Sequence, residues 1–117
     1  MDIVDFVRAR LDERAQIAER ATPGPWVVCD GVIADYEENA TWEQVVEQPV
    51  APRDDTHIAA NDPAYVLRDV AAKRAIVDAC GYADESDSAL FEAWRDAVSY
   101  LAAIDSAHPD YDPKWRR

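Results

Sequence analysis

At 117 residues the chain is long enough to bury one core and too short for two, so a single domain over 1–117 is expected. Its formal net charge of −12 sets a negative field against the phosphates of nucleic acids and anionic membranes, which argues against direct binding to either. No apolar run approaches the roughly 18 residues of a membrane span.

The N-terminus, MDIVDFVRARLDERA, lacks the basic start and continuous apolar block of a secretory leader, and a cytoplasmic location is expected. Residues 2–21 read as the first helix. Ile3, Phe6, Val7, Leu11, Ile17 and Ala18 form the apolar stripe, Asp2 caps the start and Asp5 complements the helix dipole. Thr22-Pro23-Gly24-Pro25 cannot continue that helix, so Trp26 enters as the first residue of a strand, placed to plug the junction between helix and sheet.

Trp26-Val27-Val28-Cys29, Asp30-Gly31 and Val32-Ile33-Ala34 have the pattern of a tight hairpin, with Asp-Gly at the turn. Residues 36–41 read as a polar loop and 41–47 as a third strand, with one and a half turns of helix as the alternative; Pro49 and Pro52 then interrupt pairing. Cys29 and Cys80 lie far apart without a CxxC pair or ligand cluster, the usage of two small buried hydrophobes in a reducing compartment.

The stretch Thr56–Cys80 is expected to be the packing centre. It begins as a polar lead-in turn, continues through Asp62 as N-cap and Pro63 as first helical residue, and runs on with Val66, Leu67, Val70, Arg74, Val77 and Cys80 at helical spacing until Gly81 stops it. A connector over 81–85 leads to Ser86 or Asp87 as cap of a last helix, whose apolar face is Leu90, Phe91, Trp94, Ala97, Val98, Leu101 and Ile104. A short loop predicts that these two helices pack as an antiparallel pair. The tail from His108 to Arg117 is expected to be non-helical and to fold back through Tyr111 and Trp115. The fold class is therefore α+β: an N-terminal helix, a small antiparallel sheet of two or three strands, and a C-terminal helix pair.

The chemistry-bearing candidates are few. His57 lies in DDTHIAAND, where Asp54, Asp55 and Asp62 are close enough in sequence to orient an imidazole or share a divalent metal; the plainer reading is a hydrogen bond that fixes a turn. His108, Asp110 and Asp112 alternate in the tail, where a ligand set competes with a rigid segment that positions Tyr111 and Trp115. No serine stands in a GxSxG elbow, and three glycines in the whole chain leave no phosphate-cradling loop. An enzyme is not expected, and no cofactor is implied. The acids are unevenly placed: eight against Arg53 over residues 30–55, and five against Arg95 over 81–104.

In order along the chain, IVDFVRARLDE, ATPGPW followed by a hairpin, HIAANDPAYVLRDVAAKRAIVD and a closing HPDY resemble a family of small uncharacterised proteins from actinobacteria and their phages. The resemblance covers the chain apart from residues 36–52 and 82–96. It implies an origin and no activity. The function expected from the sequence is protein–protein interaction, with His57, Asp54, Asp55, Trp42 and Trp115 as the candidate interaction residues. The partner is a protein, in one version a basic host protein and in another a second copy of the chain. The alternative is an acidic nucleic-acid mimic that occupies a basic groove, and a metal-dependent enzyme is the last reading.

Overall fold

The computed structural model describes residues 1–29, 31–35, 45–46, 50–80 and 87–117. Among them the fold is α+β, with four α-helices, a two-stranded antiparallel sheet and one 3-10 turn: α1 (Ile3–Arg20), β1 (Trp26–Cys29), β2 (Val32–Asp35), α2 (Pro52–Ala60), α3 (Pro63–Cys80), α4 (Ser88–Ala103) and the turn Pro113–Trp115. No described helix is long and apolar enough to cross a membrane. The chain divides into two compact units, Met1–Glu13 with Val70–Arg117 and Arg14–Asp69, called unit 1 and unit 2 below.

In unit 1, Asp2 starts α1 as expected: its Oδ1 accepts from the Asp5 amide at 2.8 Å and its carbonyl from Phe6 at 3.0 Å. Phe6, Val7, Leu11, Val70, Val77, Val98 and Ala102 are buried. Arg8 meets Asp78 at 3.2 Å and Asp12 meets Arg74 at 2.7 Å. Four residues forward on one segment match four back on the other, so these parts of α1 and α3 run antiparallel. Such half-exposed pairs add little stability; what they fix is register. Asp87 caps α4 by accepting from the Leu90 amide at 3.1 Å. Beyond α4, Tyr111 and Trp115 close on Phe6 with ring centroids 5.9 and 5.1 Å away, so the tail does fold back. Its expected lack of helix needs correction, because Pro113–Trp115 forms a 3-10 turn with Asp112 accepting from the Lys114 amide at 2.9 Å. An Asp-Pro start caps even a single turn.

In unit 2, Trp26 pairs with Asp35 and Cys29 with Val32 in an antiparallel hairpin; Gly31, just before Val32, sits at φ 77°, a conformation that favours glycine. The expected third strand over 41–47 lies outside the described residues except for Val45 and Val46. The Val45 amide donates to the Ile33 carbonyl at 2.8 Å and the Val50 amide to that of Gly31 at 2.9 Å, so β2 is hydrogen-bonded on its second edge as well. Ile33 is fully buried and α2 packs against both strands. Helix α2 corrects the expectation of a polar lead-in turn: Pro52 occupies its first turn, with Asp54 and Asp55 beside it at the positive end of the dipole.

Two apolar stripes are narrower than their sequence patterns. On α1 the buried residues Val7, Leu11, Ala15 and Ala18 follow spacings of four, four and three, which leaves Ile17 one residue off the stripe and 68% exposed. On α4, Val98, Ser99 and Ala102 are the buried residues while Leu90 and Ile104, at its two ends, are 55% and 53% exposed. Trp42, the connector over 81–85 and Ser86 lie outside the described residues.

Candidate functional site

The most organised constellation is in unit 2, where the ATPGPW and NDP segments meet. Asp62 is 7% exposed and uses both carboxylate oxygens: Oδ1 accepts from the Tyr65 amide at 2.8 Å, capping α3, and Oδ2 accepts from the Trp26 amide at 2.9 Å, fixing the start of β1. One side chain thus joins a helix start to a strand start 36 residues away in sequence. Gly24 makes that approach feasible. A Cβ there would lie 2.7 Å from Asp62 Oδ2, 2.9 Å from its Cγ and 3.1 Å from the Ala64 Cβ, so no larger residue fits without displacing the carboxylate. The Gly24-Pro25 peptide bond is cis. The Trp26 indole N–H turns back to the Thr22 carbonyl at 2.8 Å, which leaves the faces of the ring for apolar contact.

Beside this lock lie two adjoining recesses. One, of about 300 Å3, is walled by Ile17, Ala18, Ala21, Trp26, Pro63 and Val66, with Arg14 and Asn61 as its polar groups. The other, of about 320 Å3, shares Ala18, Ala21 and Pro63 and adds Pro23, Gly24 and Leu67. Ile17, with most of its surface in solvent, stands on the wall of the first. The walls are mostly apolar and held by backbone, capping and proline geometry; Arg14 is the ionisable group on the first recess and Glu19 on the second.

The residues singled out from sequence are dispersed. Asp54, Asp55 and His57 all lie on α2, so they share one element, yet they do not form one site. Asp54 and His57 are exposed, whereas Asp55 is 4% exposed and accepts from the Thr56 hydroxyl at 3.0 Å. His57 contributes through its main chain: its carbonyl accepts from Asn61 Nδ2 at 2.8 Å, closing the end of α2. Trp115 belongs to unit 1, on the Phe6 and Tyr111 rings. His108 is also in unit 1, where it packs edge-on to Phe6, meets Arg10 through Nε2 and accepts from the Asp110 amide at Nδ1. Among the described residues no group of three His, Cys, Asp or Glu side chains is placed to hold a metal ion.

A family model described as a family of unknown function (DUF6221) matches residues 1–117. The chain belongs to DUF6221. Comparison with curated proteins and with solved structures gave no match. Membership of DUF6221 covers the whole chain and assigns it no activity.

Two contributions went unread in the sequence. Ile17 looked like a core residue and lies on the recess wall; the signal was the four-residue spacing of Val7, Leu11 and Ala15, which passes it by. Gly24, between two prolines, looked like punctuation, and its role depends on an aspartate in a distant segment.

Proposed function

We propose that the protein acts by binding another protein, and that the apolar recess of unit 2 receives a large apolar side chain of that partner. The observation that carries this reading is the exposure of Ile17 on the wall of a recess whose shape is set by the Asp62 lock. Central, desolvated pockets of this kind dominate protein interfaces, while the surrounding charges steer the approach. With a net charge of −12, the chain favours a partner segment that carries basic residues around its apolar anchor. The motif resemblance supports an actinobacterial or phage origin, and we place the protein in the cytoplasm of that cell. We also infer that α3 and α4 pack as an antiparallel pair, which is supported by the buried Val70, Val77, Val98 and Ala102 in unit 1.

The acidic mimic has less support. Of the described acids in its two stretches, Asp35 and Asp55 are buried, Asp87 is a helix cap, and Glu92 and Asp96 pair with Arg95 and Arg117. Asp54 alone among them is exposed without such an engagement. The test is affinity capture from an actinobacterial lysate with wild-type and Ile17→Asp baits. Since Ile17 is exposed, both baits stay folded, and the variant is expected to lose the partner. Equal capture by the two would overturn the recess as the binding surface. Light scattering of the purified protein separates the homodimer version, in which a second copy is the occupant.

A further inference from the structure

Unit 1 contains a cavity of about 130 Å3 between the first turn of α1, the middle of α4 and the tail. Its lining is unusual for so acidic a chain. Arg95, Lys114 and Arg117 converge on it, three of only 12 basic residues, and among the described residues no Asp or Glu side chain lines it. Trp94 and Ser99 supply the remaining polar groups, and Ile3, Val98 and Trp115 the apolar wall.

One of those groups is unspent and the other is buried beside it. The Trp94 indole nitrogen is buried with no hydrogen-bond partner among the described residues. Ser99 is 5% exposed and lines the same space. A buried donor left without an acceptor is rare in folded proteins, and an acceptor from outside the chain, a water or a ligand oxygen, satisfies it. The cations are positioned and not neutralised from within the cavity. Arg95 reaches Glu92 and Arg117 reaches Asp96, each at 3.4 Å and each with substantial solvent exposure. Lys114 makes no ion pair among the described residues, and its main chain is pinned by Asp112.

We propose that this cavity binds a small organic carboxylate. Its oxygens accept from the Trp94 indole N–H, the Ser99 hydroxyl and the surrounding cations, charge-assisted bonds that a neutral ligand does not make, and its short apolar body lies on Ile3, Val98 and Trp115. The volume sets the size. Cavities of about 150 Å3 accept benzene, so a branched acid of about six non-hydrogen atoms, such as isobutyrate, fills the space. The apolar wall favours such an acid over a fully hydrated inorganic anion.

The test follows the four indole N–H signals of the 15N-labelled protein, one for each of its four tryptophans, with Trp94→Phe assigning the Trp94 signal. Isobutyrate at constant ionic strength is expected to move that signal downfield with a saturable, millimolar midpoint, while the Trp26 signal stays in place. Lys114→Met, a change at an exposed residue, is expected to raise the midpoint at least fivefold. Isobutyramide, of the same shape without the charge, and inorganic phosphate are expected to produce no saturable shift. A stationary Trp94 signal through the isobutyrate titration overturns the proposal. An equal response to isobutyramide overturns its anionic character, and an equal response to phosphate overturns its specificity for an organic acid.

Discussion

Replacing Asp62 by Ala removes two hydrogen bonds made by one buried carboxylate. Loss of the N-cap to Tyr65 costs about 1 kcal/mol, and the half-buried Trp26 amide left without an acceptor costs about 1–2 kcal/mol more. The expected total is about 2–3 kcal/mol, and at about 4 °C per kcal/mol for a chain of this size the melting temperature falls by ~8–12 °C. Asp62→Ser keeps a capping oxygen within reach of Tyr65 but not of Trp26, so it is expected to lose only about half as much. Gly24→Ala forces a methyl against the carboxylate at 2.7 Å and is expected to cost about 1–3 kcal/mol as overpacking. In the double variant most of that clash has no target, so the two losses add to about 1 kcal/mol less than their sum. Thermal melts followed by circular dichroism, with urea titrations for the free energies, measure the four variants beside wild type. Asp62→Ala melting within about 2 °C of wild type, or strict additivity of the two changes, would refute the lock.

Three further outcomes follow from unit 1. Val70→Asp places an unpaired charge at a site that is 1% exposed and is expected to cost about 4 kcal/mol or more, or to abolish folding; unchanged melting would mean that the buried face of α3 is misassigned. Phe6→Ala removes a fully buried ring that meets His108, Tyr111 and Trp115, with an expected loss of about 3–5 kcal/mol and a collapse of the near-ultraviolet dichroism of the tail aromatics. Burial pushes the Cys80 thiol above its ordinary pKa, so its thiolate fraction in the folded protein is below that of a free cysteine at any pH beneath that value. In a Cys29→Ser background, iodoacetamide should therefore react with Cys80 along a rate–pH curve whose midpoint falls when the chain is unfolded in urea; coincident folded and unfolded curves would contradict the burial.

Much of the fold is legible in local residue patterns because local physics decides it. Asp2 as cap of α1, Asp-Gly between two β-branched runs, Asp62-Pro63 ahead of α3 and Asp87 ahead of α4 each carry their own turn or capping chemistry, and each element begins where those residues place it. Helix α2 is harder to read because nine residues give little periodicity, and Asp54, Asp55 and His57 make the segment look solvated; yet a proline with two acids in the same first turn is itself a helix start. The site was largely illegible for a different reason. Its geometry depends on Gly24 and Trp26 meeting Asp62, which lies 36 residues beyond Trp26 in the sequence, and spacing within one segment carries no record of that. The α2 residues drew attention for their chemistry, while the recess is made of alanines, prolines and one displaced isoleucine.

The proposal of an apolar protein-binding recess is tested most directly by the salt dependence of capture. A partner held in the recess is expected to remain on wild-type protein from about 0.1 M to about 1 M salt, where charge attraction is screened within about 3 Å, and to be absent from Ile17→Asp at both. A partner that leaves the wild type steeply as salt rises, and that Ile17→Asp retains at low salt, would contradict the account and assign the interaction to the acidic surface.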